Sequence, residues 1–285
     1  MRYHISISLE EGGKVEIMKW LLVLICLAGG VLFYGFGIEP YLLVTHAYQL
    51  TQSEGGTSLR IVQISDIQLS EHYDTSRLET IVEKVNANEP DVIIFSGDLF
   101  ENYAEYGSRP EVLEEVGRLL GRMEARYAKL AIYGNRDYGG GAESIYTDLM
   151  HQGGFQILRN EIGTIRLNDD QEVHLIGLDD ALLGEPDRDL TSQDAIAAYR
   201  ILLIHEPDLV DELDLSGVDL VLAGHSHGGQ VFIGGITTSM AKKYIRGFYT
   251  LSPSTQMYVN SGIGTSRLPV RIGVVPEIAV FDIDI

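Results

Sequence analysis

Asp219-Leu220-Val221-Leu222-Ala223 runs directly into Gly224-His225-Ser226-His227-Gly228-Gly229-Gln230. An apolar run of this length bounded by glycine reads as a buried strand, and the glycine-rich stretch after it reads as a tight loop. Two histidines one residue apart on such a loop can each reach a different cation. Imidazole is the commonest nitrogen ligand of first-row divalent metals, and flanking glycines let backbone approach a bound anion closely. Taken alone, the loop reads equally well as a polar surface turn with two chance histidines, so the rest of the chain has to decide.

Four other apolar runs end in the same way. Leu59 to Ser65 leads into Asp66-Ile67-Gln68, Asp91 to Ser96 into Gly97-Asp98, Ala128 to Tyr133 into Gly134-Asn135-Arg136-Asp137, and Arg200 to Ile204 into His205-Glu206-Pro207-Asp208. In open α/β sheets, ligands collect beyond the carboxyl ends of the strands. Five runs that each end in Asp, Asn or His therefore predict one shared site. Asp98 follows a buried strand and a glycine, where an unpaired charge is costly and a shared pair of cations would offset its desolvation. The alternative for Asp98 is an ordinary turn cap.

The ordered set Asp66-Ile67-Gln68, Gly97-Asp98, Gly134-Asn135-Arg136-Asp137, His205 and Gly224-His225-Ser226-His227 resembles the calcineurin-like metallophosphoesterase family, whose pattern is D-x-H, G-D, G-N-H-D, H and G-H-x-H. The resemblance runs from residue 59 to residue 285. Its tail, Tyr258 to Thr265 followed by Leu268-Pro269-Val270-Arg271 and Pro276-Glu277-Ile278, is similar to a membrane-anchored bacterial branch that includes proteins of the UDP-2,3-diacylglucosamine pyrophosphatase type. The resemblance implies an α/β fold, an α/β/β/α four-layer sandwich of two mixed sheets. It also implies a centre of two divalent metal ions. By the same correspondence Asp98 bridges the two ions, Asn135, His205 and His225 complete one site, and Asp66, His227 and Gln68 complete the other. Asn135, Arg136 and Asp137 are the implied catalytic residues. Mixed nitrogen and oxygen ligation suits Mn, Fe or Zn without choosing among them.

Gln68 and Arg136 depart from the pattern, since the family carries His at both. A glutamine carbonyl is a neutral and weaker ligand than imidazole, so the ion nearest Asp66 and His227 is expected to be the looser one. His72, four residues on, is an alternative ligand there. Arg136 cannot give up a proton at working pH, so its expected role is to neutralise charge on phosphoryl or leaving-group oxygens, with Asp137 holding its guanidinium. Two cations can clamp a phosphate and neutralise charge in an in-line displacement. The implied reaction is metal-dependent hydrolysis of a phosphodiester, phosphomonoester or pyrophosphate in a phosphorylated small molecule or a lipid or cell-envelope substrate. A degenerate member that binds metal or phosphate as a sensor or scaffold, without hydrolysis, is the alternative.

The chain has 285 residues and 45% hydrophobic composition, enough for one large α/β domain with an N-terminal appendage. A formal net charge of -20 excludes nucleic acid as a general partner, because phosphate backbones are bound by excess Lys and Arg. Cys26 is the sole cysteine, which rules out an intrachain disulfide and a cysteine-based metal site. Trp20 to Ile38 is 19 residues without a charge, about 28 Å as a helix and close to the apolar thickness of a bilayer. It reads as a single membrane span rather than a cleavable signal, since no clear A-x-A site follows. Lys19 before it and Glu39 after it favour a cytoplasmic N-terminus and an external catalytic domain.

The expected division is a short segment over 1–19, the anchor over 20–38, a strand and linker over 39–58 and the catalytic domain over 59–285. Met18-Lys19-Trp20 resembles the usual start of an anchor, which makes residues 1–17 candidates for mistranslated leader. Apolar spacing predicts helices near Leu78 to Val85, from Pro110 to Met123 and from Ala142 to His151. Short strands follow at Phe155 to Leu158, Ile162 to Leu167 and Val173 to Gly177, with a turn at Asn168-Asp169-Asp170. His4, His46, His151 and His174 fall outside the motif set, and Asp179-Asp180 reads as the start of a loop.

Overall fold

Strict alternation along the short strands decides which layer each side chain joins. The computed structural model describes residues 11–51, 57–167, 171–193, 197, 199–234, 236–239 and 241–285. The expected turn at 168–170, most of the 51–58 linker and residues 1–10 lie outside that set. In β3 (Val92–Phe95), Val92 and Ile94 enter the core between two sheets, while Ile93 and Phe95 face a helical layer. In β9 (Leu220–Ala223), Leu220 and Leu222 enter the same central core from the other side, while Val221 and Ala223 face outward. Two-residue periodicity with both faces apolar is what a strand covered on both sides requires.

The first sheet has the order β1 (Val44–Thr51), β14 (Glu277–Asp284), β2 (Ser58–Ile64), β3, β4 (Ala128–Ala131), β5 (Gln156–Ile157). It is parallel apart from the antiparallel β14 to β2 pair. The second has the order β12 (Gly247–Thr250), β13 (Gln256–Val259), β9, β8 (Tyr199–Leu203), β7 (Glu172–Gly177), β6 (Glu161–Arg166). Here β13, β9, β8 and β7 are mutually parallel and the outer pairs are antiparallel. The segment 155–158, which its neighbours make look like part of a hairpin, instead closes the first sheet beside β4. The glycine turn that ends the preceding helix delivers the chain to that edge.

Helices α2 (Thr75–Asn86), α3 (Pro110–Gly121) and α5 (Glu143–Gln152) cover the first sheet, each with one buried apolar stripe. Asp74 caps α2 by accepting from the Ser76 amide, and Pro110 occupies the first turn of α3, where a missing N–H costs nothing. The fourth layer is thinner than the sandwich pattern suggests. Among the described residues, the outer face of the second sheet is covered by loops and by the short 3-10 segments Leu190–Ser192 and Pro207–Glu212, which contribute Leu190, Leu209 and Val210.

Helix α1 (Glu11–Gly37) stands outside all of these layers. It is the one helix among the described residues long and apolar enough to cross a membrane, and its most apolar stretch is 6% buried. Its far end is nevertheless fastened to the domain. The Arg271 amide donates to the Gly35 carbonyl at 2.9 Å, the Val274 amide to Glu39 Oε1 at 2.5 Å, and the Tyr73 hydroxyl to the Pro40 carbonyl at 2.6 Å. The central core carries the fold, so Leu222→Ala, fully buried between the sheets, is expected to cost about 2–5 kcal/mol. The check is a lower urea midpoint with unchanged slope for the variant.

Candidate metal centre

Every expected site residue lies at the carboxyl end of a strand, and the two sheets bring those ends together. Asp66 and Gln68 follow β2, Asp98 follows β3, Asn135 to Asp137 form the first turn of α4 (Asn135–Tyr138) after β4, His205 follows β8, and His225 and His227 follow β9. Asp66, Gln68, Asp98, His225 and His227 all have positive φ, between 50° and 66°. Non-glycine residues in this region each cost on the order of 1–3 kcal/mol and persist only where surrounding structure holds them. Close packing is part of what holds them. At Gly97, φ is +91°, and a Cβ would lie 2.5 Å from the Gly134 nitrogen and 2.9 Å from His205 Nδ1.

Asp98 sits at the middle. Its Oδ1 accepts from the Arg136 amide at 2.8 Å, and its Oδ2 accepts from Gln68 Nε2 at 2.8 Å and lies 3.5 Å from His205 Nε2. Burial alone would push Asp98 up, but the His205 charge holds it at about 2. Burial likewise works against a charged His205, and Asp98 outweighs it and pushes the imidazole well up. His205 Nδ1–H donates to the Ser96 carbonyl at 2.6 Å, which fixes the ring and turns Nε2 toward Asp98. A divalent cation between these groups would take the place of the imidazole's second proton.

The remaining donors flank this pair. His225 Nδ1 lies 3.1 Å from Asn135 Oδ1 and 4.0 Å from Glu206 Oε1. His227 Nε2 lies 3.4 Å from both Asp66 Oδ1 and Gln68 Nε2. Burial lowers both His225 and His227 to about 4, with the His205 charge adding to the effect at His225. Both are therefore neutral ligand-competent imidazoles at pH 7. The donor atoms of Asp66, Asp98 and His205 all lie within 4.8 Å of one another, and so do those of His205, Glu206 and His225. Asp66 Oδ1, Gln68 Oε1, His205 Nε2 and Glu206 Oε1 are buried without a hydrogen-bond partner in the protein. Buried polar atoms are otherwise nearly always satisfied, so this convergence of oxygen and nitrogen donors fits divalent cations.

Two expectations about side-chain roles are corrected by the geometry. Asp137 does not hold the Arg136 guanidinium. Its carboxylate accepts the amides of Asp98 at 2.7 Å, Leu99 at 2.9 Å and Gly134 at 2.9 Å, so both oxygens are committed to backbone. Burial, then the Asp98 charge, push this carboxyl up to about 8. Arg136 is held instead by the Glu101 carbonyl at 2.9 Å, the Glu101 carboxylate at 3.3 Å and Ser266 Oγ at 2.8 Å. At Gln68 the amide nitrogen, not the carbonyl oxygen, faces Asp98, because an uncompensated carboxylate takes the nearest donor. A half-turn of the amide would present the oxygen.

His72 is exposed and lines a cavity of about 480 Å³ together with Glu101, Arg136 and Arg267. His174 stays outside the site, 3.9 Å from Glu172. Asp179 and Asp180 do more than open a loop. Asp179 accepts from Tyr138 and Arg159, and Asp180 accepts the amides of Leu182 and Leu183 beside Glu206. Glu101 and Ser266 carry no sequence signal for their positions beside the site, whereas Arg271 closes the Leu268-Pro269-Val270-Arg271 stretch of the resemblance and is a lone charge in the apolar run 268–275.

The family model and the related sequences identify the family. The calcineurin-like phosphoesterase family model matches residues 59–229, a span that contains every motif residue named above. The uncharacterized metallophosphoesterase YkuE of Bacillus subtilis (strain 168) is 38% identical over 262 residues, 89% of this chain and 90% of that protein. A transmembrane protein with metallophosphoesterase domain from Danio rerio is 30% identical over 237 residues, and there the match spans 79% of this chain and 53% of the relative. Among solved structures, a dimetal phosphatase from Danio rerio aligns with a TM-score of 0.45 at 10% identity, over 72% of this chain and 88% of that one. With five strand-end motifs in order on two facing sheets and a family match that spans them all, the chain belongs to the calcineurin-like phosphoesterase family and is a phosphoester hydrolase.

Proposed function

We propose that the chain is a membrane-anchored phosphohydrolase with two divalent cations, Mn, Fe or Zn, bridged by Asp98. Asn135, His205 and His225 would hold one cation, and Asp66, His227 and Gln68 the other. The observation that carries this reading is the set of buried, partnerless donor atoms around Asp98. When bound, such a pair supplies charge neutralisation and orientation for an in-line attack on phosphorus. Glu206 flanks the His205 and His225 side, where it adds a carboxylate that sequence correspondence does not assign.

The chain's own residues shape the rest of the chemistry. Asp137 holds the amides of Asp98 and Gly134 and so positions the bridging carboxylate. Arg136, fixed by Glu101 and Ser266 at the edge of the larger cavity, offers its remaining N–H groups to phosphoryl or leaving-group oxygens. An arginine cannot protonate a leaving group, so general-acid help of about 10²–10⁴-fold is absent from this position. Leaving groups that depart without a proton, phosphoanhydrides and aryl esters, suit this site better than alkyl esters. The resemblance of the tail to the pyrophosphatase-type branch points the same way. Helix α1 and the charges around it support a single span with the catalytic domain on the external side, which makes a lipid or cell-envelope phosphate the favoured substrate.

Three outcomes test this reading. With Mn²⁺ and bis(4-nitrophenyl) phosphate, Asp98→Asn is expected to lose at least about 100-fold in turnover, beyond the roughly 10–100-fold typical of outer-shell changes. An active Asp98→Asn protein would remove the bridging role. Elemental analysis of protein purified without added metal is expected to give well under two ions per chain, rising in Gln68→His; two tightly held ions in the unaltered protein would refute a weak Gln68 site. In a series of aryl phosphodiesters, Arg136→His is expected to show a shallower dependence of rate on leaving-group pKa than the parent. Equal chemical rates for alkyl and aryl esters in the parent would mean that another acid is present.

A further inference from the structure

The site and the end of the apolar helix share a wall. Arg271 donates its backbone amide to Gly35 of α1, while its side chain donates to the carbonyls of Gly264 and His227. The neighbours of Arg271 complete the contact. A Cβ on Gly35 would lie 2.7 Å from Ile272 Cγ1 and 3.2 Å from Val270 Cγ2, so the helix rests directly on this strip. Val270 also lines a groove of about 190 Å³, and His227, Val231 and Leu268 line it too. The groove is therefore lined both by a candidate metal ligand, His227, and by Val270, which lies against the end of the apolar helix.

Exposed apolar side chains stand at and beside this groove, which Ser226, Gln230, Thr238 and Ser266 also line. Leu268 is 60% exposed, and Ile233 and Phe232, on the hairpin of β10 (Phe232–Ile233) with β11 (Ile236–Thr237), are 52% and 37% exposed. This hairpin is attached to the same strip, since the Phe232 amide donates to the Ile272 carbonyl at 2.8 Å. Exposed cations accompany these side chains in a strongly acidic chain. The Arg246 guanidinium stacks 4.6 Å from the Phe232 ring centroid and donates to the Gly273 carbonyl, and exposed Arg267 precedes Leu268. Aromatic and aliphatic tips paired with arginine are the composition of a surface that rests in a lipid headgroup region.

We propose that segments 231–234 and 266–270 seat the catalytic face on the bilayer, and that the groove between them admits the apolar end of a phosphorylated membrane lipid while its phosphate lies at His227. The substrate assignment rests on the hydrolase reading above; the membrane contact does not. For a lipid pyrophosphate the balanced step is hydrolysis. Water forms the new bond to the terminal phosphorus, the anhydride P–O bond breaks with its electron pair on the lipid phosphate oxygen, and the water protons pass to solvent.

The full chain in phosphatidylcholine vesicles tests both parts. A nitroxide at Ile233→Cys in a Cys26→Ser background is expected to relax more with oxygen than with a water-soluble nickel chelate. The reverse is expected at Ser254→Cys, exposed at the opposite end of the parallel strands, where Gln256 pairs with Leu220. A position 233 as water-accessible as 254 would overturn the seat. Separately, Phe232→Asp/Ile233→Asp is expected to lose about tenfold in hydrolysis of dioleoylglycerol pyrophosphate in the vesicles, a loss equivalent to about 1.4 kcal/mol. Its turnover of bis(4-nitrophenyl) phosphate is expected to be unchanged. Equal loss on both substrates, or cleavage of the aryl ester without the lipid by the parent, would overturn the lipid groove. Immersion at 233 with neither substrate cleaved would sink the hydrolase reading and leave the membrane seat standing.

Discussion

A buried carboxylate without enough partners is the constraint on which this structure turns. Asp98 is 2% exposed, and Asp66 and Asp137 beside it are as deeply buried. Like charges in so small a volume are unfavourable unless something neutralises them, and removing one partner of a buried pair typically costs about 3–5 kcal/mol. The protein answers each carboxylate differently. Asp137 is satisfied by three backbone amides, Asp98 accepts from the Arg136 amide and the Gln68 side-chain amide and lies 3.5 Å from the otherwise unpartnered His205 Nε2, and Asp66 keeps one oxygen with no partner. That gradient separates the structural carboxylate from the two proposed to hold cations.

The same economy explains the backbone. Left-handed conformations at five site residues turn side chains from neighbouring strand ends toward one point, and the cost is met by the sheets behind them. On the opposite side the ligand loops are fastened by Arg271. Its fully buried guanidinium donates to the carbonyls of Ser261, Gly262, Gly264 and Val274 and to that of His227, in place of solvent. Burial pushes it down to about 10, still charged at neutral pH. Because the Arg271 amide also holds Gly35, one residue links the end of the apolar helix to the loop under Asp66.

The layers of this fold were legible from the sequence because strand periodicity and the residues at strand ends are local signals. Leu220 and Leu222 against Val221 and Ala223 state their layers directly, and His225 and His227 state the site. What was not legible depends on distance along the chain. Ser266 reaches Arg136 across 130 positions, and Glu101 lies in an irregular stretch whose spacing carries no period. The edge position of β5 was likewise hidden, because two residues between a helix and a hairpin look the same whichever sheet they join. Asp137 is the instructive error. Adjacency to Arg136 made an ion pair look natural, yet consecutive residues in the first turn of a helix point apart, and a buried carboxylate near free amides bonds the amides first.

The true partners of Arg136 bear on its chemistry. Had Asp137 held the guanidinium, a fully buried carboxylate would have cancelled much of its charge from behind. Glu101 is a partial neutraliser instead. It is itself raised by burial, shares its carboxylate with the Arg267 amide, and meets Arg136 mainly through its carbonyl. Ser266 adds a neutral acceptor. The guanidinium is thus oriented by groups that leave more of its positive charge to act forward, into the cavity it lines. A histidine in this place would work by moving a proton, whereas in the proposed reaction this arginine would work by standing still with its charge exposed to the cavity.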